Sequence, residues 1–174
     1  MKHRNVAAEL LAKPLKDEIR LRSARNVVLS RQFSEMLKAT LNAYHNRAIA
    51  TQEVIEELIK LARELSAANQ RGQDLGLNED EIAFYDALAA NESAVKAMGS
   101  AELRVIAAEL VTQVRQSVTI DWTVREGARA KIKVLVKRIL PKHGYPTDLQ
   151  EEGGKTVLAQ AELLCAEWVE PAAA

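Results

Sequence analysis

The stretch FSEMLKATLNAY, residues 33–44, decides the fold class of this chain. Its apolar and small uncharged side chains recur at intervals of three and four residues: Phe33, Met36, Leu37, Thr40, Leu41 and Tyr44. This spacing places them on one face of a helix with 3.6 residues per turn, whereas a strand would show alternation. The stretch therefore predicts an amphipathic α-helix that packs this face inward and ends near residues 45–48.

The composition extends the helical prediction to the whole chain. Of 174 residues, only 7 are Gly and 4 are Pro, and aromatic residues make up 4%. Ala, Leu, Glu, Lys and Arg, which favour helices, are plentiful. The length suits one domain with its own core. We therefore expect an all-α, single-domain bundle of six to eight helices over residues 1–170, with a frayed tail over residues 171–174.

The first and third helices carry apolar stripes of their own. Residues 2–24 predict a helix in which Pro14 causes a kink or break near Lys13, because proline lacks an N–H and its ring clashes with the preceding turn. The apolar positions of this helix are Val6, Leu10, Leu11, Leu15 and Ile19. Those of the helix that begins near Thr51 are Val54, Leu58, Leu61 and Leu65. Gly72 or Gly76 is expected to end that helix in the left-handed conformation.

Capping patterns predict the remaining helix starts. Three pairs have the spacing of a capping box: Asn78 with Glu81, Thr123 with Glu126, and Thr147 with Gln150. A short helix is predicted before Gly99, and Ser100 is predicted to cap a helix that runs to about Gln116. Pro141 is expected to end the helix that starts after Trp122. No strand alternation is sustained enough to predict a sheet.

The cysteine usage and the hydropathy pattern indicate the compartment. Cys165 is the single cysteine, so the sequence predicts no disulfide and a reducing, intracellular setting. Charged residues run through the first 19 residues, which is not typical of a signal peptide. No stretch approaches the roughly 18 apolar residues of a membrane span. We therefore expect a cytoplasmic protein that does not bind membranes.

Acidic and basic residues balance at 24 each but separate along the chain. The net charge is +6 over residues 1–47, −7 over 48–110, +6 over 111–147 and −5 over 148–174. Blocks of one sign create local electrostatic fields that can attract a polyanion or an acidic partner. The alternative is that the blocks neutralise one another within the fold.

The basic residues are densest in VTIDWTVREGARAKIKVLVKRIL, residues 118–140. Like charges four residues apart weaken a helix, so such a row favours a role in contact over a role in local stability. The candidate DNA-binding residues are Arg125, Arg129, Lys131, Lys133, Lys137 and Arg138, with Arg22, Arg25 and Arg31 in a second basic group. Phosphate contact by these residues would be independent of DNA sequence. The alternative is internal pairing with the acidic segment 48–110.

Motifs for catalysis or metal binding are missing from the sequence. The stretch Gly154-Lys155-Thr156 looks like part of a phosphate-binding loop, but Leu149 stands where that motif needs its first glycine. The three histidines are far apart, and Cys165 lies on an apolar stripe, which is typical of a core residue. The sequence therefore predicts no catalytic residue and no metal ligand. A nucleotide-binding enzyme stays an alternative that rests on Gly154-Lys155-Thr156 alone.

Three stretches resemble the C-terminal helical domain of the R (motor) subunit of type I restriction endonucleases. They are YHNR at 44–47, LGLNEDEIAFYDALA at 75–89 and DWTVREGARAKIKVLVKR at 121–138. The resemblance runs in order over about residues 2–165. The sequence departs from the pattern at Pro14 and at Gly153-Gly154, where continuous helix is expected.

The resemblance implies a function in assembly and in DNA guidance. It implies docking of the motor subunit to the modification and specificity subunits, and contact with the backbone of double-stranded DNA. ATP and magnesium are implied for the whole enzyme, with no cofactor in this chain. The candidate partner-binding residues are Tyr44, His45, Asn46, Arg47, Asp121 and Trp122. A helical module that binds protein without touching DNA is the alternative.

Overall fold

A computed structural model describes residues 3–23, 25–118, 125–146 and 150–169, and the regular elements within them are all α-helices. The helices are α1 (His3–Ser23), α2 (Val27–His45), α3 (Thr51–Asp74), α4 (Glu79–Ala89), α5 (Glu92–Met98), α6 (Ser100–Ser117), α7 (Arg125–Lys142) and α8 (Gln150–Val169). The predicted all-α class is confirmed. The eight helices of the described ranges also agree with the predicted number.

The described helices form two compact units. Unit 1 contains α1, α3 and the part of α2 from Leu29 onward. Unit 2 contains residues 25–28, which include the start of α2, together with α4 to α8. The assignment of residues 1–170 to one domain stays a prediction, and the expected tail at 171–174 lies outside the described residues.

The core of unit 1 forms where α1 and α2 lie against α3. The predicted stripe of α3 is confirmed, because Val54, Leu58, Leu61 and Leu65 are all buried. From α2, Phe33 and Leu37 are buried, while Met36, Leu41 and Tyr44 are half-buried at the edge of the core. The stripe that predicted the fold class therefore packs inward as expected.

The first helix differs from its prediction in two ways. It continues through Pro14 from His3 to Ser23, so the predicted break does not occur. Pro14 is exposed, as is Leu10, the residue whose carbonyl Pro14 cannot bond. The predicted apolar positions Val6, Leu10 and Leu11 are exposed, whereas the small residues Ala8 and Ala12 are buried beside Ile19.

Most of the predicted helix boundaries that fall on described residues are confirmed. Pro141 does not end α7 as predicted, because it lies inside that helix, which continues to Lys142. The predicted capping residues Thr123 and Thr147 lie outside the described residues. The Asn78 side chain accepts a hydrogen bond from the Glu81 N–H at 2.9 Å, and Glu81 accepts one from the Asn78 N–H at 2.9 Å. Gly76, with φ of 65°, is the left-handed residue after α3. Ser100 is not a cap as predicted but the first residue of α6, because Gly99, with φ of 80°, already separates α5 from α6.

The core of unit 2 is drawn from five helices. Helix α4 packs against α6 and α8, and α7 packs against α6 and α8, with α5 beside α6. The largest fully buried apolar side chains include Phe84, Leu88, Leu103, Ile106, Leu110, Ile132, Ile139 and Leu164. Tyr145 is also buried, and its hydroxyl donates to the Leu88 carbonyl at 2.9 Å. The hydrogen bond satisfies the one polar atom of an otherwise apolar side chain.

Buried polar side chains attach residues 25–28 to unit 2. The fully buried Gln160 of α8 accepts from the Val27 N–H at 2.9 Å and donates to the Arg25 carbonyl at 2.7 Å. Asn26 donates to the Asp86 carboxylate at 2.8 Å. Two backbone polar groups at the start of α2 are thus paired with a buried side chain of α8.

Candidate nucleic-acid interface

Helix α7 carries most of the basic residues that the sequence selected, and its burial pattern fixes which way they face. Ile132, Leu135 and Ile139 are buried against the rest of unit 2, as the predicted inner face requires. Residues on the opposite side of a helix must then face solvent. The basic residues of α7 are consequently held on an outer surface by a well-packed core.

Four of the predicted DNA-binding residues form what we call the α7 basic surface: Lys131, Lys133, Lys137 and Arg138. All four are exposed. Within the described parts of the chain they form no ion pair, whereas Glu109, Glu162 and Glu167 of α6 and α8 pair with other cations. Lys133 and Lys137 lie one turn apart, about 6 Å along the helix axis. Their ammonium groups are therefore available to a ligand outside the chain.

Arg129 differs from these four residues because it pairs with a carboxylate of α8. Its Nε and Nη2 both donate to Glu162, the second at 3.0 Å, in a bidentate arrangement. The Glu162 hydrogen bonds and charge raise the pKa of the Arg129 guanidinium above its usual value. Arg129 is therefore a predicted DNA-binding residue that already has a partner within unit 2, unlike the four residues of the α7 basic surface.

The remaining predicted DNA-binding residues do not extend the α7 basic surface. Arg25 lies in unit 2 and forms ion pairs with Glu79 and with Glu167, the latter at 2.9 Å. Arg31 is exposed on the part of α2 that belongs to unit 1. Arg22 and Arg125 lie in helices, but their side chains are outside the described set.

Four of the six predicted partner-binding residues lie at the end of α2 and in the turn after it. Tyr44 is half-buried at the end of α2, with its ring centroid 6.0 Å from that of His45. Asn46 and Arg47 are exposed in the turn that follows, where Arg47 adopts the left-handed conformation with φ of 57°. The other two predicted residues, Asp121 and Trp122, lie outside the described ranges.

Two glutamates pair with cations of α7 and of the turn after it, and neither was among the predicted site residues. Glu109 of α6 accepts from the Lys142 ammonium at 2.7 Å and contacts His143 Nε2. The hydrogen bonds from Lys142 and His143 hold the pKa of this carboxyl below its usual value. Glu162 pairs with Arg129. The acidic block over 148–174 contains Glu162, but nothing in a single sequence indicates that two residues 33 positions apart form an ion pair.

An apolar side chain lies within the α7 basic surface. Val134 is 67% exposed, and it lines a shallow depression of 350 Å³ together with Lys131, Leu135 and Arg138. A large apolar side chain at such a site contributes nothing to phosphate binding. It does suit contact with an apolar patch of a protein.

The described residues give no arrangement for bond-breaking chemistry. No cluster of three or more potential metal ligands occurs among them. Cys165 is fully buried, and burial, with the Glu162 charge, raises the pKa of its thiol to about 12. Gly154, Lys155 and Thr156 lie inside α8, where the backbone amides bond along the helix and do not form a phosphate-binding loop. What these residues can offer is a charged and partly apolar contact surface.

The sequence of residues 1–167 matches the family described as "Type I restriction enzyme HindI endonuclease subunit-like, C-terminal". The chain belongs to this family. Its all-helical architecture in the described ranges therefore represents the C-terminal part of HindI-like endonuclease subunits of type I restriction enzymes. The family assignment agrees with the resemblance found from the three sequence stretches. None of the helices in the described residues is long and apolar enough to span a membrane.

Two curated relatives support the family assignment. The chain is 40% identical over 159 residues to the type I restriction enzyme HindI endonuclease subunit of Haemophilus influenzae, which covers 91% of the chain and 15% of that protein. It is 33% identical over 145 residues to a Methanocaldococcus jannaschii protein that carries the name of the type I restriction enzyme MjaIXP endonuclease subunit, covering 83% of the chain and 14% of that protein. The chain thus spans about one seventh of the length of these relatives. No solved structure matches the chain.

Proposed function

We propose that this chain is a non-catalytic assembly and DNA-guiding domain of the motor subunit of a type I restriction enzyme. In this proposal it docks that subunit to the modification and specificity subunits and contacts the DNA backbone through the α7 basic surface. The protein would act in the cytoplasm, where its DNA substrate is. The family assignment supports the restriction system, and the cations of α7 support the contact with DNA.

The α7 basic surface carries the DNA part of the proposal. Lys131, Lys133, Lys137 and Arg138 are exposed and have no acidic partner among the described residues. Cations that are already paired, such as Arg129 and Lys142, would have to give up a carboxylate before they bind phosphate. Cations without a partner bear no such cost, and they attract a phosphate backbone regardless of base sequence. An enzyme that moves along arbitrary DNA needs contact of this kind.

ATP and magnesium belong to other parts of the enzyme in this proposal. The relatives are roughly seven times longer than the region that matches, which leaves room for motor and nuclease domains elsewhere. The Gly154-Lys155-Thr156 stretch would not bind nucleotide from within α8. We therefore expect the isolated chain neither to hydrolyse ATP nor to cleave DNA.

The exposed Val134 favours a second candidate function, contact of α7 with protein alone. In that case the cations of the α7 basic surface would pair with an acidic partner surface while Val134 packs into an apolar spot. Interfaces commonly combine an apolar centre with a charged rim. This candidate predicts that changes in α7 reduce subunit docking and leave DNA affinity unchanged.

The Lys133→Ala/Lys137→Ala variant separates the two candidates. We expect its affinity for two duplexes of unrelated sequence to fall by a similar factor, about tenfold at low salt, since two exposed ion pairs contribute roughly 0.7 kcal/mol each. The slope of log affinity against log salt should flatten by about one per lost contact. The control Lys60→Ala/Lys96→Ala removes two exposed lysines of α3 and α5 and should leave DNA affinity unchanged.

Equal DNA affinity of the α7 variant and the control would reject the DNA contact. If the α7 variant also lost binding to the modification subunit in a pull-down, the protein-contact function would replace it. A large drop in melting temperature with both activities retained would mean that the lysines act within the fold.

A further inference from the structure

A long apolar groove lies between α1 and α2 of unit 1. Its two adjoining parts have volumes of 540 and 360 Å³. The first is lined by the second half of α1 and the middle of α2, and the second by the first half of α1 and the end of α2. The two helices therefore run antiparallel along the groove. From Ala8 to Arg20 it follows α1 for about 18 Å, or a little over three helical turns.

The floor of the groove is apolar. Its apolar lining residues are Ala8, Ala12, Ile19, Leu37, Leu41 and Tyr44. Four of them, Ala8, Ala12, Ile19 and Leu37, are buried in the core of unit 1, so packing from below fixes the floor in place. An apolar floor of this length does not suit a nucleic-acid backbone, which needs polar contacts. It suits the apolar face of an amphipathic helix.

The rim of the groove is basic. Lys13, Lys16 and Arg20 line it from α1, Lys38 and His45 line it from α2, and Glu9 is the one acidic lining residue in the described parts of the groove. The three lysines are exposed and lie along both edges. A second copy of the same surface would bring cations against cations. An acidic partner would bring carboxylates against them.

We propose that this groove binds an acidic amphipathic helix of a partner protein. The apolar face of that helix packs on Leu37, Leu41 and Ile19, and its flanking carboxylates pair with Lys13, Lys16 and Lys38. The inference deepens the docking part of the proposed function, because it gives the chemical character of one docking partner. It does not depend on the DNA contact, since the groove lies in unit 1 and the α7 basic surface in unit 2.

A labelled model peptide tests the groove directly. The probe is a helix of about four turns with Leu at every third and fourth position and Glu on its flanks. Its matched control has the same Leu positions and Lys in place of Glu. By fluorescence anisotropy with the full 174-residue chain, we expect the Glu peptide to bind at least tenfold more tightly than the Lys peptide. Equal binding of the two peptides would overturn the proposal.

Two variants locate the binding. Lys16→Glu/Lys38→Glu should lower the affinity for the Glu peptide at least tenfold and raise the affinity for the Lys peptide. Lys60→Glu/Arg63→Glu, on exposed positions of α3, should change neither affinity. Ser34→Trp fills the groove without changing charge and should also abolish binding, while Ser66→Trp, exposed on α3, should not. Unchanged binding in either groove variant would reject the site.

The same proteins distinguish this inference from the proposed function. Ser34→Trp should leave DNA affinity unchanged, and Lys133→Ala/Lys137→Ala should leave peptide affinity unchanged. If the wild-type chain binds DNA but does not bind the Glu peptide, the groove proposal is rejected and the DNA contact is not. A dimer of the chain in sedimentation experiments that Ser34→Trp dissociates would identify a second copy as the occupant and overturn the acidic-helix proposal.

Discussion

Helices α1 of unit 1 and α6 of unit 2 have similar lengths, yet they are packed in opposite ways. On α6, Leu103, Ile106 and Leu110 are completely buried. On α1, Leu10 and Leu21 are 67% and 72% exposed, and the inner face relies on two alanines and Ile19. Buried apolar area is the main stabilising contribution in both units. We infer that α6 contributes more buried apolar area to its unit than α1 does, and that α1 leaves more apolar surface exposed to partners.

The largest expected difference comes from matched leucine truncations in these two helices. Leu110→Ala should lower the free energy of unfolding by about 3–5 kcal/mol, because the Leu110 side chain is completely buried and its truncation leaves a cavity. Leu10→Ala should change it by less than about 0.5 kcal/mol. Urea unfolding followed by far-UV circular dichroism measures both. Similar losses for the two variants would contradict the contrast between the helices.

A second contrast lies between polar groups that are buried and those that are exposed. Gln160→Leu should destabilise unit 2 by about 1–3 kcal/mol for each backbone group left unpaired, here the Val27 N–H and the Arg25 carbonyl. Gln52→Leu removes the exposed hydrogen bond from Gln52 to Glu56 on α3 and should cost under about 0.5 kcal/mol. Thermal unfolding of both variants provides the measurement. A Gln160→Leu protein as stable as wild type would show that water or a neighbour replaces the amide.

The contrast between Gln160 and the apolar stripes also shows what the sequence could predict. The stripes of α2 and α3 and the Asn78 capping box follow local periodicity and local hydrogen bonding, so they were predictable. Helix α1 was only partly predictable, because burial of alanines in preference to Val6 and Leu10 depends on how closely α1 lies against α3. Gln160 belongs to no motif, since its partners are more than 130 residues away in the chain.

The candidate site was predictable to a similar extent. Periodicity places Lys131, Lys133, Lys137 and Arg138 outside the buried face of α7, as the structure shows. Which of the basic residues are paired depends on tertiary neighbours. Arg129 meets Glu162, and Lys142 meets Glu109, both across a separation of 33 residues. The groove of unit 1 was missed because its rim and floor come from two helices whose packing no single stripe reveals.

A smaller effect is expected from the Glu109 ion pairs at low pH. Lys142 and His143 hold the pKa of Glu109 below its unfolded value of roughly 4.3, so the carboxylate stabilises the fold above that pH. This contribution is lost as pH falls through the folded-state pKa. Glu109→Gln should therefore be less stable than wild type near neutral pH, and the gap should close in acid. A constant gap from pH 7 to the acid limit would contradict this assignment.

The smallest expected effect is the reactivity of the Cys165 thiol, which can be measured on the wild-type chain. Burial, with the Glu162 charge, raises its thiol pKa to about 12, so almost none is thiolate at neutral pH. We expect a thiol reagent to modify native protein only as fast as unit 2 opens, and to react at once in denaturant. Rapid modification of the folded chain at neutral pH would mean that α8 is more loosely packed than α6.

The two units are proposed to have different contact surfaces, with DNA on α7 and protein at the groove of unit 1. The most direct test compares the DNA affinities of two double variants, Lys133→Ala/Lys137→Ala and Lys16→Ala/Lys38→Ala. Both are measured with the same duplex at the same low salt concentration. Each removes two exposed lysines from a helical surface. We predict that the α7 variant loses about tenfold in DNA affinity and that the groove variant binds DNA like wild type. An equal or larger loss in the groove variant would contradict the claim.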